Sequence, residues 1–242
     1  MNAGPLHDPF LEKFLGKPAF HIPTESRLVE ELFASGPESF ACVKIPTENV
    51  ERTHEWESAG FRVVDVNTQF ELRPTAFSPY PPNALSSVYA VRPAEPGDRE
   101  EVESVAGAAF HYTRFHLDPA IPNATADELK RTWAGNFFEG KRGNDMLVAT
   151  KGARPVGFLQ ALDQPNCVVI DLIAITPEHR GQGLASAMIR ALAADAAGEK
   201  RIIAGTQAAN LPSIRLYEKL GFRMKATSHV LHYHGPFNSN PK

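Results

Sequence analysis

Residues 168–185 read VVIDLIAITPEHRGQGLA, and this stretch decides the fold class. The almost wholly apolar run predicts a strand over Cys167–Ile175 at the centre of a sheet, because strands buried on both faces lose the polar alternation. A turn follows, and Gly181 and Gly183 then open an alanine-rich helix expected at 183–197. Free N–H groups and the helix dipole at such a helix start attract negative charge. The stretch therefore predicts an α/β domain that binds a phosphate-bearing ligand.

A second stretch carries polar groups at helical spacing. Residues 210–222 read NLPSIRLYEKLGF, so Asn210, Ser213 and Tyr217 fall on one helix face. A row of amide, hydroxyl and phenol suits a ligand lying along the helix, whereas a core stripe is more often Leu or Val. The upstream glycines match neither GxGxxG nor GxxxxGK, which argues against the dinucleotide and nucleoside-triphosphate folds. A tight turn without a ligand stays the alternative for those glycines.

The predicted elements alternate in a mixed order. Helices are expected at 25–34, at 98–110 with Asp98 as cap, at 125–139 with Thr125 as cap, at 183–197 and at 211–220. Strands are expected at 40–45, 88–92, 146–150, 156–162, 167–175 and 202–206, with two strand pieces within 61–72 and a final pair of strands within 222–233. This order predicts a mixed α/β sheet.

The two stretches together resemble the GNAT superfamily of acyl-CoA-dependent N-acetyltransferases, over about residues 88–235. Arg180-x-x-Gly183-x-Ala185 is similar to the coenzyme loop of that family, and residues 210–222 are similar to its following helix. The resemblance implies a GNAT fold with acetyl-CoA as co-substrate, its pantetheine beside the central strand and its pyrophosphate on the loop. The implied coenzyme contacts are Leu172, Ile173, Ala174, Ile175, Arg180, Gly181, Gln182, Gly183, Leu184, Ala185, Asn210, Ser213 and Tyr217.

The resemblance also implies the catalytic and acceptor residues. Tyr217 would protonate the departing thiolate, and Asp171 would order a water that takes the amine proton or would serve a structural purpose at a β-bulge. His111, Arg114 and Trp133 would bind the acceptor. The outline resembles the TDP-fucosamine acetyltransferase branch, so a nucleotide-linked amino sugar is the expected acceptor. The alternatives are another acceptor (a protein lysine or N-terminus, an amino acid or a polyamine) and a non-catalytic CoA-binding module.

The two halves of the chain share a pattern. An offset of 161 residues (217 − 56 = 161) aligns Trp56 with Tyr217 and gives five identities in fourteen positions, which we interpret as a tandem of related units. At this offset the glycine loop falls on AFHIPT at 19–24, so the first unit is predicted to have lost the coenzyme site. We expect a degenerate GNAT-like N-terminal domain at 1–74, a proline-rich linker at 75–87, a catalytic GNAT domain at 88–235 and a flexible tail at 236–242.

Composition restricts the partners. The 242 residues carry 25 Lys+Arg against 28 Asp+Glu, so no overall basic field exists for nucleic acid. Cys42 and Cys167 lack CxxC spacing, which favours a reducing compartment without disulfides. His229, His232 and His234 are interpreted as an exposed strand edge rather than metal ligands, because no carboxylate lies at ligand spacing. No window reaches the roughly 18 apolar residues of a membrane span. We expect a soluble cytoplasmic protein without metal, nucleic acid or membrane partners, and leave a homodimer open.

Overall fold

A computed structural model of the chain describes residues 4–26, 36–73, 85–195 and 200–236. The helix expected at 25–34 lies almost entirely outside these ranges. Most of the expected linker at 75–87 and nearly all of the expected tail at 236–242 do so as well. Within the described ranges, no helix combines the length and the apolar character needed to cross a bilayer.

The described chain consists of strands and helices in mixed order. The strands are β1 (Leu6–His7), β2 (Ala19–Ile22), β3 (Glu38–Pro46), β4 (Arg62–Leu72), β5 (Tyr89–Pro93), β6 (Asp145–Lys151), β7 (Arg154–Gln164), β8 (Cys167–Ile175), β9 (Arg201–Gln207) and β10 (Arg223–Pro236). The α-helices are α1 (Pro9–Leu15), α2 (Val50–Ser58), α3 (Arg99–Ala109), α4 (Asn123–Gly135), α5 (Leu184–Asp195) and α6 (Leu211–Lys219).

The strands of both halves join one sheet, in the order β1-β2-β3-β10-β4-β9-β8-β7-β6-β5. β2 and β3 are parallel, as are β8 and β9, and the other neighbours are antiparallel. The predicted mixed α/β sheet is confirmed. The central position predicted for β8 is also found, because β7 and β9 flank it.

The repeat in the sequence is also visible in the strand pairing. Ile45 of β3 pairs with His229 of β10, and Thr68 of β4 pairs with Thr206 of β9. The offset of 161 residues exchanges these two pairs (45 + 161 = 206 and 229 − 161 = 68). The central four strands β3-β10-β4-β9 are therefore related by a pseudo-two-fold axis, and each unit places its last strand against the other unit.

This exchange corrects two predictions about strands. The final pair expected within 222–233 is wrong, because β10 is one continuous strand paired with β3 on one side and β4 on the other. The two pieces expected within 61–72 are likewise one strand, β4. Local periodicity gave no sign that β4 crosses into the second unit to become the neighbour of β10.

Two predicted helix caps also differ. Asp98 precedes α3, but its carboxylate forms an ion pair with Arg92 and accepts the Glu95 N–H at 2.8 Å, so it stabilises the turn before the helix. Thr125 lies inside α4, which begins at Asn123 after Pro122 and ends at Gly135. The proline sets that start two residues earlier than the predicted cap.

Candidate active site

The side chains of β8 switch from one face of the sheet to the other at Asp171. Ala161 of β7 pairs with Ile170 and Gln160 pairs with Leu172, so Asp171 is the extra residue of a β-bulge. Ile170 packs in the apolar cluster that includes α5, whereas Leu172, two residues later, packs against α3. Without a bulge these two side chains would share a face. The bulge thus turns the Asp171 carboxylate toward hydrogen-bond donors that lie outside β8.

The same point opens a gap between β8 and β9. The two strands pair only from Cys167 to Ile170 of β8, although both continue further. No described strand pairs with this edge of β8 over residues 171–175. Free N–H and C=O groups on such an edge can pair with an extended ligand. The strand residues predicted to contact the coenzyme, 172–175, lie along this open edge.

The predicted phosphate loop lies at the end of that strand. Gly181 and Gly183 have φ values of 76° and 81°, in the left-handed region that favours glycine. A Cβ atom added to Gly181 would meet no atom within 4 Å, so the surface above the loop is open. The Arg180 guanidinium donates at 3.2 Å to the carbonyl oxygens of Ile175 and of the last residue of α3. Arg180 therefore holds the loop against β8 and α3.

α6 begins at the end of β9, beside the gap. Asn210 is its N-cap, and its side-chain oxygen accepts the Ser213 N–H at 3.3 Å. The Asn210 amide also donates to Thr206 Oγ1 at 3.1 Å, which orients the cap toward β9. Asn210, Ser213 and Tyr217 all line one cavity, in agreement with their predicted common face.

The Tyr217 ring is buried at 2% exposure. It packs against Phe70 of β4 and Phe222, with ring centroids at 5.5 and 5.2 Å. Burial raises the pKa of Tyr217 well above its ordinary value, so the phenol stays protonated near neutral pH. No described residue hydrogen-bonds to its hydroxyl, which leaves this proton available to a ligand in the cavity.

Asp171 is engaged by donors from three elements. Arg142 binds it through two hydrogen bonds of 2.7 Å, and Trp133 Nε1 and Gln160 Nε2 each donate to it at 3.0 Å. A carboxylate with four such donors is a strong positioning group, because charge-assisted and bidentate contacts fix its geometry. The Arg142 guanidinium also lies 4.5 Å over the Trp133 ring, so Asp171 orients both side chains.

The cavity has a volume of about 770 Å³ and extends from the open edge of β8 to β2 and β3. Of the predicted acceptor residues, Arg114 and Trp133 line it, whereas His111 is exposed and does not. Several lining residues were absent from the sequence prediction. Polar examples from the first half of the chain and from α4 are Asp8, His21, Cys42, Lys44, Asp65, Asn67 and Lys130.

Two ionisable groups in the cavity have unusual environments. Burial lowers the pKa of Lys130 to about 7, and its ammonium lies 4.2 Å from the Trp133 ring centroid. Burial raises the pKa of Asp65 to about 6, against the opposing charges of Lys44 and Arg114. Asp65 is the cavity-lining carboxylate that forms no ion pair within the described ranges, since His21 and Arg142 occupy the other two.

The C-terminal histidines are placed differently from the prediction. His232 is buried at 2% exposure in the interior strand β10, so the exposed edge predicted for this segment is wrong there. A carboxylate is also present, because Asp118 Oδ2 lies 2.7 Å from His232 Nδ1 and 2.8 Å from His234 Nε2. These three ligand-type atoms lie within 4.8 Å of one another. Asp118 thereby ties the loop after α3 to β10, a contact that sequence spacing could not reveal.

Comparison with known proteins identifies similar domains. Residues 110–222 match the acetyltransferase (GNAT) family. The chain is 26% identical over 197 residues to the spore coat polysaccharide biosynthesis protein SpsD of Bacillus subtilis (strain 168), covering 80% of this chain and 66% of SpsD. It is 27% identical over 175 residues to the mycothiol acetyltransferase of Thermobispora bispora, covering 68% of this chain and 57% of that protein. The chain thus spans less than two thirds of the length of either relative.

Solved structures share the fold. A GCN5-related N-acetyltransferase from Sphaerobacter thermophilus matches 86% of this chain and 64% of its own, with a TM-score of 0.56 and 16% identity. A tandem GNAT protein from the clavulanic acid biosynthesis pathway matches 84% of this chain and 65% of its own, with a TM-score of 0.55 and 13% identity. The predicted GNAT fold with a smaller GNAT-like first half is confirmed, and the family whose model matches residues 110–222 is an acetyltransferase family.

Proposed function

Because residues 110–222 match the acetyltransferase (GNAT) family, we propose that the chain transfers the acetyl group of acetyl-CoA to a primary amine of a small molecule. One observation carries this proposal: a single cavity joins the open edge of β8 and the buried phenol of Tyr217 to a long polar acceptor space. The amine and the thioester can then meet in a ternary complex, and no covalent enzyme intermediate is needed.

The coenzyme would bind along the second unit. The pantetheine would extend along residues 172–175, and the pyrophosphate would meet the free N–H groups of residues 181–185 at the start of α5. The first unit carries AFHIPT at the equivalent place, without glycine. We therefore assign one coenzyme to each chain.

The reaction would proceed by direct attack of the neutral amine on the thioester carbonyl. A backbone N–H of the open edge, at Ile173 or a neighbour, would donate to the oxygen as it becomes negative. The carbon–sulfur bond would break as the amide forms, and the Tyr217 hydroxyl would give its proton to the departing sulfur. Burial supports this role, because a desolvated thiolate is a stronger base than one in water.

The amine proton needs an acceptor. Asp171 is the predicted candidate, through a water, but its carboxylate already accepts four hydrogen bonds and so favours a positioning role. Asp65 is the better candidate in this cavity. It lies on β4, two strands from β8 in the sheet order, and lines the same cavity as the open edge. With a pKa of about 6 it is ionised yet basic at neutral pH.

We further propose a nucleotide-linked amino sugar as the acceptor, with a thymidine-diphosphate 4-amino-4,6-dideoxyhexose as the best single candidate. Lys44 and Arg114 form no ion pair with a described carboxylate; Lys44 lies on β3, four strands from β8 in the sheet order, and Arg114 contacts Cys42 of the same strand. A diphosphate at that end would leave the sugar amine near the thioester. The name of SpsD, a polysaccharide biosynthesis protein, agrees with a sugar acceptor. His111 and Trp133 stay predicted acceptor residues, although only Trp133 lines the cavity.

The test is a turnover assay with acetyl-CoA and a panel of nucleotide amino sugars, polyamines, amino acids and peptides at equal concentration. Arg114→Ala should raise KM for the nucleotide sugar several-fold and leave the Kd for acetyl-CoA unchanged, because the two ligands use different ends of the cavity. Faster acetylation of a polyamine, amino acid or peptide would overturn the acceptor assignment. Coenzyme binding without turnover on the whole panel would favour the non-catalytic CoA-binding module.

A further inference from the structure

The far end of the cavity contains a cysteine, a histidine and an aspartate in mutual contact. The register of β2 and β3 places His21 directly beside Cys42. Cys42 Sγ lies 2.9 Å from His21 Nδ1, and His21 Nε2 lies 2.7 Å from Asp8 Oδ2. Asp8 is fixed as the N-cap of α1, where its other oxygen accepts the Leu11 N–H at 2.9 Å. A thiol, an imidazole and an orienting carboxylate in this order is the arrangement that activates nucleophilic cysteines.

The charges around Cys42 favour the thiolate. Arg114 Nη1 lies 3.5 Å from the sulfur, and Lys44 is two residues away on the same strand. Burial alone would raise the pKa of the Cys42 thiol, but Arg114 and His21 outweigh it and the pKa is lowered. The hydrogen bond to Asp8 raises the pKa of His21 to about 9, so the imidazole is protonated near neutral pH.

The groups on the β10 side of Cys42 do not oppose a thiolate at this residue. Its cross-strand neighbour on β10 is His232. Burial lowers the pKa of His232 to about 4, so this imidazole is neutral near pH 7. Its partner Asp118 is already bound to His232 and His234. The groups around Cys42 are thus three cations (His21, Arg114 and Lys44), the Asp8 carboxylate bound to His21, and one neutral histidine.

A second observation indicates that a ligand enters this space. Lys130 of α4 lines the same cavity at 7% exposure, yet its ammonium forms no hydrogen bond or ion pair with another residue in the described ranges. Its closest interaction is with the Trp133 ring. A buried ammonium without a polar partner is costly unless a ligand or water satisfies it. An anionic or polar molecule beside Lys130 would lie in the cavity that also contains Cys42.

We propose that Cys42 is a reactive thiolate and a site of covalent modification by small anionic disulfides and other soft electrophiles that enter the cavity. With a disulfide, the Cys42 sulfur attacks one sulfur atom, the sulfur–sulfur bond breaks, and the other half leaves as a thiolate. No added oxidant is needed, and the proton stays on His21. Cys42 lies on β3, four strands from β8 in the sheet order, so this modification is a reaction separate from acetyl transfer at the open edge.

Modification of Cys42 would interfere with binding of the acceptor. A group bound to Cys42 would occupy the end of the cavity near Arg114, while the open edge of β8 and the loop at 180–185 stay free. This consequence rests on the proposed function. It predicts that the modified chain binds acetyl-CoA with unchanged Kd and loses turnover with the amine. The reactivity of Cys42 itself does not depend on the identity of the acceptor.

The experiment uses the full chain with the Cys167→Ser substitution, so that Cys42 is its one thiol. The rate of alkylation by iodoacetamide is measured by mass spectrometry between pH 6 and pH 8. An ordinary thiol with a pKa near 8.5 changes its thiolate fraction about 75-fold over this range. We expect the Cys42 rate to change less than about threefold. Asp8→Asn and His21→Ala should each lower the rate at pH 6 by about tenfold or more, and 5,5′-dithiobis(2-nitrobenzoate) should react stoichiometrically.

Two further readouts make the outcome unambiguous. The thiolate absorbance at 240 nm, taken as the difference between Cys167→Ser and the Cys42→Ser, Cys167→Ser double variant, reports ionisation without reagent access. Absence of that absorbance at pH 7 overturns the proposal, as does an alkylation rate that follows an ordinary thiol. Thiolate absorbance without alkylation overturns the modification site. If Cys42 is found to be unreactive while acetyl transfer is normal, this inference is refuted and the proposed function is unaffected.

Discussion

Replacing Tyr217 by Phe removes one hydroxyl from the centre of the cavity and keeps the ring. The ring is 2% exposed and packs against Phe70 and Phe222, contacts that Phe would preserve. No described residue hydrogen-bonds to the hydroxyl, so its loss breaks no internal contact. We therefore expect the free energy of unfolding to change by less than about 1 kcal/mol.

The effect on catalysis should be much larger. Loss of a positioned acid typically lowers kcat by about 10²–10⁴-fold, which corresponds to about 2.7–5.4 kcal/mol of transition-state stabilisation. Because burial raises the pKa of Tyr217, the phenol donates its proton only to a strong base such as the departing thiolate. The loss should therefore appear in kcat, whereas the Kd for acetyl-CoA should hardly change.

The assay is the release of free CoA under saturating acetyl-CoA and acceptor, with binding measured separately by calorimetry. Tyr233→Phe makes the same chemical change on β10, outside the cavity, and should retain activity. If Tyr217→Phe keeps its kcat but binds acetyl-CoA more weakly, the phenol has a structural role and the assignment as acid is refuted.

Three other predictions concern Gly183 in the loop at 180–185, Asp65 as the proposed proton acceptor, and Asp118, which ties the loop after α3 to β10. Gly183→Val places a side chain at a φ of 81° on the predicted phosphate loop and should abolish the acetyl-CoA binding measured by calorimetry. The control is Gly152→Val, which strains the backbone similarly at a φ of 59° in a remote turn. This control should still bind one coenzyme per chain. Asp65 has a pKa of about 6, so kcat/KM for the amine should fall as the pH drops through 6, and Asp65→Asn should remove that limb and lower the plateau about 10²-fold or more; an unchanged pH–rate profile would exclude Asp65 as the base. Asp118→Asn should cost about 2–4 kcal/mol of unfolding free energy in urea, because Asp118 is 3% exposed and accepts two histidine hydrogen bonds. Those bonds hold the pKa of Asp118 in the folded state below its unfolded value, so its contribution to the free energy of unfolding should be present above about pH 4 and decline as the pH falls. If Asp118→Asn leaves the dependence of unfolding free energy on pH unchanged, this prediction is wrong.

The residues of the proposed coenzyme half of the site could be grouped from the sequence because they are contiguous. The loop at 180–185 and the row Asn210, Ser213 and Tyr217 each lie on one local element, so spacing alone places them on one turn or one helix face. The structure adds the bulge at Asp171, which depends on pairing with β7 and leaves no mark in a run of apolar residues. It also gives this carboxylate partners from three other elements.

The acceptor half could not be predicted, because its residues are brought together only by strand order. Cys42 meets His21 through the parallel register of β2 and β3, and Arg114 reaches the same sulfur from a loop more than seventy residues away. The sequence placed His232 on an alternating strand face but not in the interior of a ten-stranded sheet. Pairing partners separated by more than a hundred residues have no local signature in one sequence.

The exchange of last strands gives the two units different places around the cavity. β4 of the first unit pairs with β9 and β10 of the second, so Asp65 is carried to within two strands of the open edge of β8. The segment equivalent to the phosphate loop has become β2 and the turn after it, which supplies His21 to the far end of the cavity. In the proposed function this segment binds no coenzyme, so it can present polar side chains at that position. If the proposed function holds, the same pseudo-two-fold axis that relates the units sets the proposed acceptor wall opposite the proposed coenzyme edge, and the first half of the chain determines which acceptor binds.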